Sequence, residues 1–401
     1  MPWKEVGKVE LRRVFIERVS SGTTMSEACR EFGVSRPTGY KWLSRYRSEG
    51  IVGLQDRSRR PRRCSVTEPA MVAAIVAERT RRKWGARKIR KRLETLGEHP
   101  PSERTVNRVL KREGLQEGRQ SKPEAPQRFE RSRPNALWQM DHKSALRGKW
   151  RSRAVPFAAL DDCSRYLLCL RSLTDKGLNS TWTWLWETFG EFGLPEAMLM
   201  DNDIIFAGRN GPSRLESRLL RLGIEVIHGR PYHPQTQGKV ERFNGALERE
   251  LLRDGSFETA DDLQSAFDRF RCEYNFERPH EALELAVPAS RYVPSPRPRP
   301  PVLPEVIYRE GSLLRKVDPS GRISLKNERI EVGQGISGEW VELREVEFGF
   351  EVYYGECRIL GFVPGGERKA HRCYRRIPSG GPRGNPAPST TPRGFPGGYQ
   401  V

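Results

Sequence analysis

Hydrophobic residues near the start of the chain recur at helical spacing. Leu11, Val14, Phe15 and Val19 fall on one face of a helix predicted over 8–20. From residue 135 onwards, short apolar runs alternate with amphipathic helical patterns, and beyond residue 305 apolar and polar positions alternate. These patterns predict a multidomain chain with an all-α front, an α/β middle and a small β-rich end.

The front of the chain has the pattern of a helix-turn-helix. Small Ala28 stands where two helices must approach closely, and Gly33 stands where the chain turns sharply. Ser35 can cap the second helix, which carries Pro37 in its first turn. We therefore predict a DNA-binding domain over 8–50; the alternative is a three-helix domain that does not contact DNA. The residues expected on the side that faces the DNA groove are Arg36, Thr38, Gly39 and Lys41.

A second helical unit is predicted over 67–114, behind a basic linker at 52–66. Its middle helix is densely basic, and Arg87 and Lys88 are the predicted DNA contacts. The alternative is a helical spacer with a solvated basic face. Its three helices are predicted at Glu68–Arg79, Ala86–Leu96 and Ser102–Glu113.

The middle of the chain, 135–290, combines strand and helix patterns into an α/β domain with a mixed sheet. Strands are predicted at Ala136–His142, Arg153–Leu160, Arg165–Ser172, Ala197–Met200 and Glu225–His228. Helices are predicted at Asn179–Phe192, Arg214–Leu222, Gln237–Leu252 and Glu258–Phe276.

The end of the chain begins with a proline-rich segment, 291–304, that is predicted to be a linker. Alternation at period two then predicts a small barrel-like or sheet domain over 306–364. Residues 365–401 are rich in Gly, Pro and Arg and are predicted to be disordered.

Charge is distributed unevenly along the 401 residues, whose formal net charge is +20. The net charge is +17 over residues 1–134, −3 over 135–290 and +6 over 291–401. Basic regions on both sides of a slightly acidic middle predict nucleic-acid-binding domains around a core that carries carboxylates. A generally basic, ribosome-like protein is the alternative, and the acidic middle argues against it.

The seven cysteines are scattered and form no C-x-x-C pair, so reduced thiols are predicted rather than a disulfide frame or a zinc ribbon. No apolar run is long enough to cross a membrane, and the first residues lack the apolar region of a secretory signal. We therefore expect a cytoplasmic protein without a membrane partner.

Three carboxylates stand out in the middle domain. Asp141 and Asp201 each follow an apolar strand pattern that would otherwise bury them, and Glu241 lies near the start of a helix. Carboxylates from distant parts of the sequence can meet at one end of a sheet and hold Mg²⁺ for phosphodiester chemistry. Taken singly, each acid is more simply a solvated or capping residue.

Five segments of the middle domain resemble the signature segments of DDE-type insertion-sequence transposases with a retroviral-integrase-like catalytic core. Their order matches as well, which makes the resemblance more specific than three acids alone. The segments are WQMDHK at 138–143, ALDDCSRY at 159–166, MDND at 200–203, HPQTQGKVERFN at 233–244 and YNFERPHEAL at 274–283.

The resemblance implies that Asp141, Asp201 and Glu241 are catalytic and bind Mg²⁺ or Mn²⁺ in a ribonuclease-H-like fold. It implies hydrolysis at transposon ends and transfer of the freed 3′-hydroxyl into target DNA, with double-stranded DNA as the partner. A homo-multimer would hold two ends together. It also implies a bacterial, nucleoid-associated location in the cytoplasm.

The same resemblance places Lys239 beside the active site, where it contacts a DNA phosphate or is simply solvated at the helix start. Two positions depart from the family pattern: Asp203 stands where glycine is usual, and Glu248 stands where relatives often carry a basic residue. Asn275, Arg278 and His280 are structural or face DNA. Two rival hypotheses remain: a DNA-binding regulator or decayed transposase without catalysis, and a nuclease that cuts without joining.

Overall fold

The computed structural model describes residues 7–57, 67–116, 130–146, 154–201, 206–208, 211–229 and 238–365, and the backbone of 368–370. The chain divides into two compact units after Thr67. The predicted disordered tail lies almost wholly outside the described residues. None of the described helices is both long and apolar enough to cross a membrane.

The first unit is a three-helix domain with the predicted helix-turn-helix. Its helices are α1 Lys8–Ser20, α2 Met25–Glu31 and α3 Arg36–Glu49. Both helices of the motif begin with side-chain caps: Thr24 forms a capping box with Glu27, and the Ser35 side chain accepts from the Thr38 amide. The core of this unit contains Phe15, Ile16, Ala28, Cys29, Trp42 and Leu54.

Gly39 lies on the buried side of α3, so the prediction that it faces the DNA groove is wrong. A Cβ atom at Gly39 would lie 2.7 Å from the Cys29 sulfur and 2.9 Å from the Phe15 ring. The glycine thus lets α3 approach α1 and α2 closely, which is a packing role.

The second unit begins with the three predicted helices, α4 Pro69–Arg82, α5 Ala86–Thr95 and α6 Glu103–Arg112. They enclose their own small core, which includes Ile75, Trp84, Ile89, Leu93 and Val106. We refer to residues 68–116 as the helical module.

The central part of the second unit is a mixed five-stranded sheet with strand order β3-β2-β1-β4-β5. Strands β1 to β3 are antiparallel neighbours, whereas β1, β4 and β5 run parallel. The strands are β1 Trp138–His142, β2 Val155–Asp161, β3 Leu167–Leu173, β4 Ala197–Met200 and β5 Glu225–His228. The helices are α7 Leu178–Phe192, α8 Arg214–Arg221, α9 Gly238–Leu247 and α10 Ala260–Phe276.

Helices cover both faces of this sheet, as the predicted ribonuclease-H-like core requires. On one face, Ala158 and Leu170 pack against Phe243 of α9 and Phe267 of α10. The opposite face packs against α7, and its cluster continues into the C-terminal strands. Because both faces are apolar, every residue of β2 is buried.

The predicted β-rich region is present at the end of the chain. Its strands form a five-stranded sheet of order β12-β11-β10-β9-β6 and a separate β7–β8 hairpin. They are β6 Leu313–Lys316, β7 Arg322–Leu325, β8 Glu328–Glu331, β9 Trp340–Val346, β10 Gly349–Tyr354, β11 Cys357–Phe362 and β12 Arg368–Ala370. This region packs directly against the main chain of the core. Gly211 of the core lies so close to Val332 that an added Cβ atom would be 1.9 Å from the Val332 carbonyl oxygen.

The proline-rich segment 291–304 is bound along the core instead of acting as a free linker. The Arg297 guanidinium donates to the carbonyl oxygens of Pro195, Leu222 and Gly223 at 2.6–3.1 Å. Tyr292 stacks on Tyr166 with 4.3 Å between ring centroids. We call this segment the strap. Proline content predicts that a segment lacks helix or strand, but not whether it binds a neighbour.

Buried ion pairs join the helical module to the core. Arg82, whose side chain is 2% exposed, contacts Glu277 at 2.5 Å and Glu273 at 3.5 Å. The Trp84 indole donates to Glu250, and the same carboxylate pairs with Arg278 at 2.6 Å, with both side chains 7% exposed. The module is therefore anchored by a buried arginine that pairs with two half-buried acids, and by the Trp84 hydrogen bond to a buried ion pair of the core.

We expect Arg278→Met to destabilise the second unit by about 3 kcal/mol, because it leaves the Glu250 carboxylate buried without its guanidinium partner. Thermal unfolding of the full chain measures this as a lowered Tm. The matched control, Arg253→Met, removes an exposed arginine and should leave Tm within a degree or two of wild type. Equal Tm values for the two variants would contradict the anchoring role.

Candidate active site

The sheet brings Asp141 and Asp201 to the same edge. Gln139 of β1 pairs with Leu199 of β4 in parallel register, and each aspartate follows two residues later. Neighbouring strands lie about 4.8 Å apart. Two carboxylates from residues 60 positions apart in sequence are thereby placed side by side.

The surroundings of Asp141 disfavour its negative charge. Burial raises the pKa of the Asp141 carboxyl above its usual value, and the nearby charge of Asp201 raises it further. The Asn244 amide, which donates to Asp141 Oδ2 at 2.8 Å, opposes this effect. Carboxylates that repel each other in a partly desolvated site are the setting that a bound cation relieves.

Glu241 lies on α9, one helical turn before Asn244, so both residues lie over the same part of the sheet edge. Its side chain is exposed. Among the described residues, no three His, Cys, Asp or Glu side chains are close enough together to hold a metal ion. The structure thus brings two of the three predicted acids together and places the third on the adjoining helix. Residues 233–237, which precede α9, lie outside the described part.

The pair fits a divalent metal by its donor chemistry. Carboxylate oxygens are the hard ligands that Mg²⁺ and Mn²⁺ prefer, and Mg²⁺ keeps several waters, so few protein ligands suffice. The raised pKa of Asp141 is consistent with a site whose charges are unbalanced until a cation binds.

Behind Asp201 lies a buried histidine–glutamate pair that sequence reasoning missed. His228 Nδ1 lies 2.9 Å from the Asp201 carbonyl oxygen, and His228 Nε2 lies 2.7 Å from Glu216 Oε1. No signal in the sequence pointed to this pair, because each residue alone looks like an ordinary polar surface position.

Lys239 lies in an ion pair rather than in open solvent. Its ammonium contacts Asp162, a fully buried carboxylate that also accepts from Gln139 at 2.7 Å. Burial lowers the pKa of Lys239 to about 8, although the charge of Asp162 opposes that shift. This contact ties the start of α9 to the turn after β2, a role that neither alternative for Lys239 had included.

Glu248, one of the two departures from the family pattern, pairs with Lys143 at 3.0 Å. Lys143 follows Asp141 by two residues, so a cation still stands beside the candidate site although the helix position carries an acid. The other departure, Asp203, lies outside the described residues.

The remaining predicted DNA contacts differ in how they are placed. Arg36, Lys41 and Arg87 have exposed side chains. Thr38 is half-buried, and its hydroxyl lies 2.9 Å from the Ser35 hydroxyl. Lys88 is half-buried against the core, where burial and the Arg278 charge lower its pKa to about 8.

The last signature segment contributes three buried polar residues to the packing: Asn275, Arg278 and His280. Asn275 holds both the amide and the carbonyl of Leu167 on the edge strand β3, at 2.8 and 3.0 Å. Burial and the adjacent Arg278 charge lower the pKa of His280 to about 2, so this histidine is neutral. The buried His142 is also part of the packing, because its ring stacks on Phe206 at 4.8 Å.

Family models match most of the chain up to residue 288. An integrase core domain model matches residues 131–234, and a second one matches 222–288. A helix-turn-helix domain model matches residues 11–62, and a homeodomain-like domain model matches 38–110. The integrase matches span every described acid of the candidate site.

Solved structures of viral integrases are also similar to this chain. A chain of a simian T-cell lymphotropic virus intasome in complex with PP2A regulatory subunit B56 gamma is 14% identical; the match covers 69% of this chain and 91% of that one, with a TM-score of 0.36. The HTLV-2 integrase catalytic core domain in complex with magnesium (trimeric form) is 16% identical, with 40% and 97% covered and a TM-score of 0.32. Because both TM-scores are below 0.5, the assignment depends on the family models.

We expect Asp141→Asn to raise the Tm of the metal-free protein by a few degrees at neutral pH, because it removes a desolvated charge next to Asp201. A raised folded-state pKa means that stability is highest below the unfolded value near 3.8 and falls as pH rises through the folded value. The advantage of the variant should therefore shrink as the pH is lowered towards 4. Exposed Asp261→Asn is the control, and a variant no more stable than this control at pH 7 would contradict the interpretation.

We expect Lys239→Met to lower the stability of the second unit by about 3 kcal/mol, because it leaves the Asp162 carboxylate buried without its cation. The salt dependence of DNA binding should remain that of wild type, since a lost phosphate contact would reduce the slope of log K against log salt by about 0.9. The control is Arg242→Met, which removes an exposed cation from the same helix. A reduced slope for the Lys239 variant alone would show that Lys239 contacts phosphate.

Proposed function

We propose that this chain, which carries helix-turn-helix domains and a DDE-type integrase core, is a DNA transposase that cleaves at transposon ends and joins the freed 3′-hydroxyls to target DNA. The observation that carries the proposal is the meeting of Asp141 and Asp201 at the carboxyl end of two parallel strands inside the integrase core match. The two acids repel each other and so lower the stability of the fold. A repulsive pair at this position is therefore better explained by a role in phosphodiester chemistry than by a structural role.

Asp141, Asp201 and Glu241 would hold the metal in this proposal. When bound, Mg²⁺ or Mn²⁺ supplies Lewis-acid chemistry at the scissile phosphate and lowers the pKa of a coordinated oxygen nucleophile. The protein's own contribution is positional. Asn244 orients the Asp141 carboxylate, and the Lys239–Asp162 ion pair fixes the start of the helix that bears Glu241.

Movement of Glu241 is part of the proposal. Its exposed side chain lies on the helix that already contacts Asp141 through Asn244, so a change of rotamer or a small shift of α9 would direct it to the acidic pair. A divalent cation held by the acidic pair would attract this third carboxylate.

The exposed face of α3 would bind the transposon ends, with Arg36 and Lys41 as contacts. Lys88 is half-buried against the core, so we assign phosphate contacts in the helical module to Arg87. Assembly of two or more copies would hold a pair of ends together; sedimentation of the DNA complex with one subunit per pair of ends would contradict this part.

The rival function is a DNA-binding regulator or decayed transposase without catalysis. One observation favours it: Glu241 does not lie with Asp141 and Asp201 in a common metal-binding set among the described residues. The two proposals differ in one measurable outcome: only the transposase cuts and joins DNA in the presence of metal.

We expect strand-transfer product from DNA that carries the element's own ends in Mg²⁺, none in EDTA, and a loss of at least about a hundredfold in Glu241→Gln with DNA binding unchanged. Product is resolved on denaturing gels, and binding is measured in the same buffer. Exposed Glu258→Gln is the control and should retain activity. Wild-type binding without cleavage or joining would favour the regulator, and cleavage without joining would indicate a nuclease.

A further inference from the structure

We infer that His228 and Glu216 are positioning residues for Asp201: their buried pair holds the main chain at the metal-binding aspartate. The inference depends on the proposed function, because it takes Asp201 as a metal ligand. No signature segment of the sequence contains either residue.

Asp201 needs such support because it stands beyond the end of its strand. The β4–β5 ladder ends where Met200 pairs with His228, and the following Gly229 amide donates to the Met200 carbonyl at 3.3 Å. The next carbonyl along β4, that of Asp201, accepts instead from the His228 ring at 2.9 Å. The imidazole thus continues the ladder by one position after the backbone pairing has ended.

The hydrogen positions follow from what each partner can do. A main-chain carbonyl only accepts, so His228 Nδ1 must carry a hydrogen and donate it to Asp201. Nε2 then shares the other hydrogen with the Glu216 carboxyl group across 2.7 Å. The glutamate therefore fixes the ring in the orientation that directs Nδ1 at Asp201.

Glu216 is itself held firmly. It is 1% exposed, and its second oxygen accepts from the amides of Gly208 and Ser213, the latter in the capping box of α8. One carboxylate thus connects the start of α8, the segment before it and, through His228, the carbonyl of Asp201. By contrast, Glu27 in the capping box of α2 is exposed.

A purely structural pair and a positioning pair make different predictions for two substitutions of similar size. The Asn amide nitrogen takes the place of Nδ1, so His228→Asn keeps a donor to Asp201 and loses the contact with Glu216. The Gln amide nitrogen takes the place of Nε2, so His228→Gln keeps the contact with Glu216 and loses the donor to Asp201. The Asn variant should therefore lose more stability, and the Gln variant should lose more affinity for the metal.

The experiment measures Mn²⁺ binding to the full chain through the loss of the free-ion electron paramagnetic resonance signal, together with Tm. We expect His228→Gln to weaken Mn²⁺ binding about tenfold, the low end of the effect of residues that orient metal ligands. His228→Asn should bind Mn²⁺ nearly as wild type does, yet show the lower Tm of the two. His99→Asn and His99→Gln, at an exposed histidine, are the matched controls.

The inference would be overturned if the variant with the lower Tm also bound Mn²⁺ more weakly and His228→Gln bound it as tightly as wild type. The proposed function would still stand in that case. Asp201→Asn separates the two: if it binds Mn²⁺ as wild type does, the proposed metal site is wrong and the inference falls with it. Should His228→Asn fail to fold, Glu216→Gln replaces it. Its amide oxygen still accepts from Gly208 and Ser213 while its amide nitrogen donates to His228 Nε2. Weakened Mn²⁺ binding at an unchanged Tm would therefore contradict the inference.

Discussion

The parallel pairing of β1 with β4 forces two carboxylates together at one end of the sheet, and this repulsion is the constraint around which the core is arranged. The register of the two strands places both acids at this end. Each is held in place by a neighbour: Asn244 contacts the side chain of Asp141, and His228 contacts the main chain of Asp201. The two repelling carboxylates are thus held in place by hydrogen bonds, an arrangement that is typical of sites that bind a cation.

Charge elsewhere in the second unit is used for assembly as much as for binding. The basic face of the helical module suggests a surface for phosphates, yet the buried Arg82 side chain pairs with Glu273 of α10 and with Glu277 just beyond it. Lys143 and Glu248 also pair directly beside the candidate site. Net charge therefore overstates the cationic surface that DNA can reach, because a buried pair is neutral to the outside.

The sequence was a good guide to local structure and to the two strand-end acids, since apolar periodicity and strand ends are encoded within a few neighbouring residues. It failed where a contact joins distant positions. Gly39 resembles a groove-facing residue until its closeness to Cys29 is known, and Lys239 resembles a surface lysine until Asp162 is placed beside it. Glu216 and His228 gave no signal, because an isolated polar residue does not reveal its partner.

The strap changes how the C-terminal region can be treated. Arg297 holds carbonyl oxygens at the end of α8 and in the turn before β4, while Tyr292 lies flat on Tyr166 beside β3. Its sequence therefore has to match surfaces of its own core, even though it has no regular secondary structure. Relatives cannot exchange their terminal regions as independent cassettes across this segment, so the strap and the core are constrained to evolve as one piece.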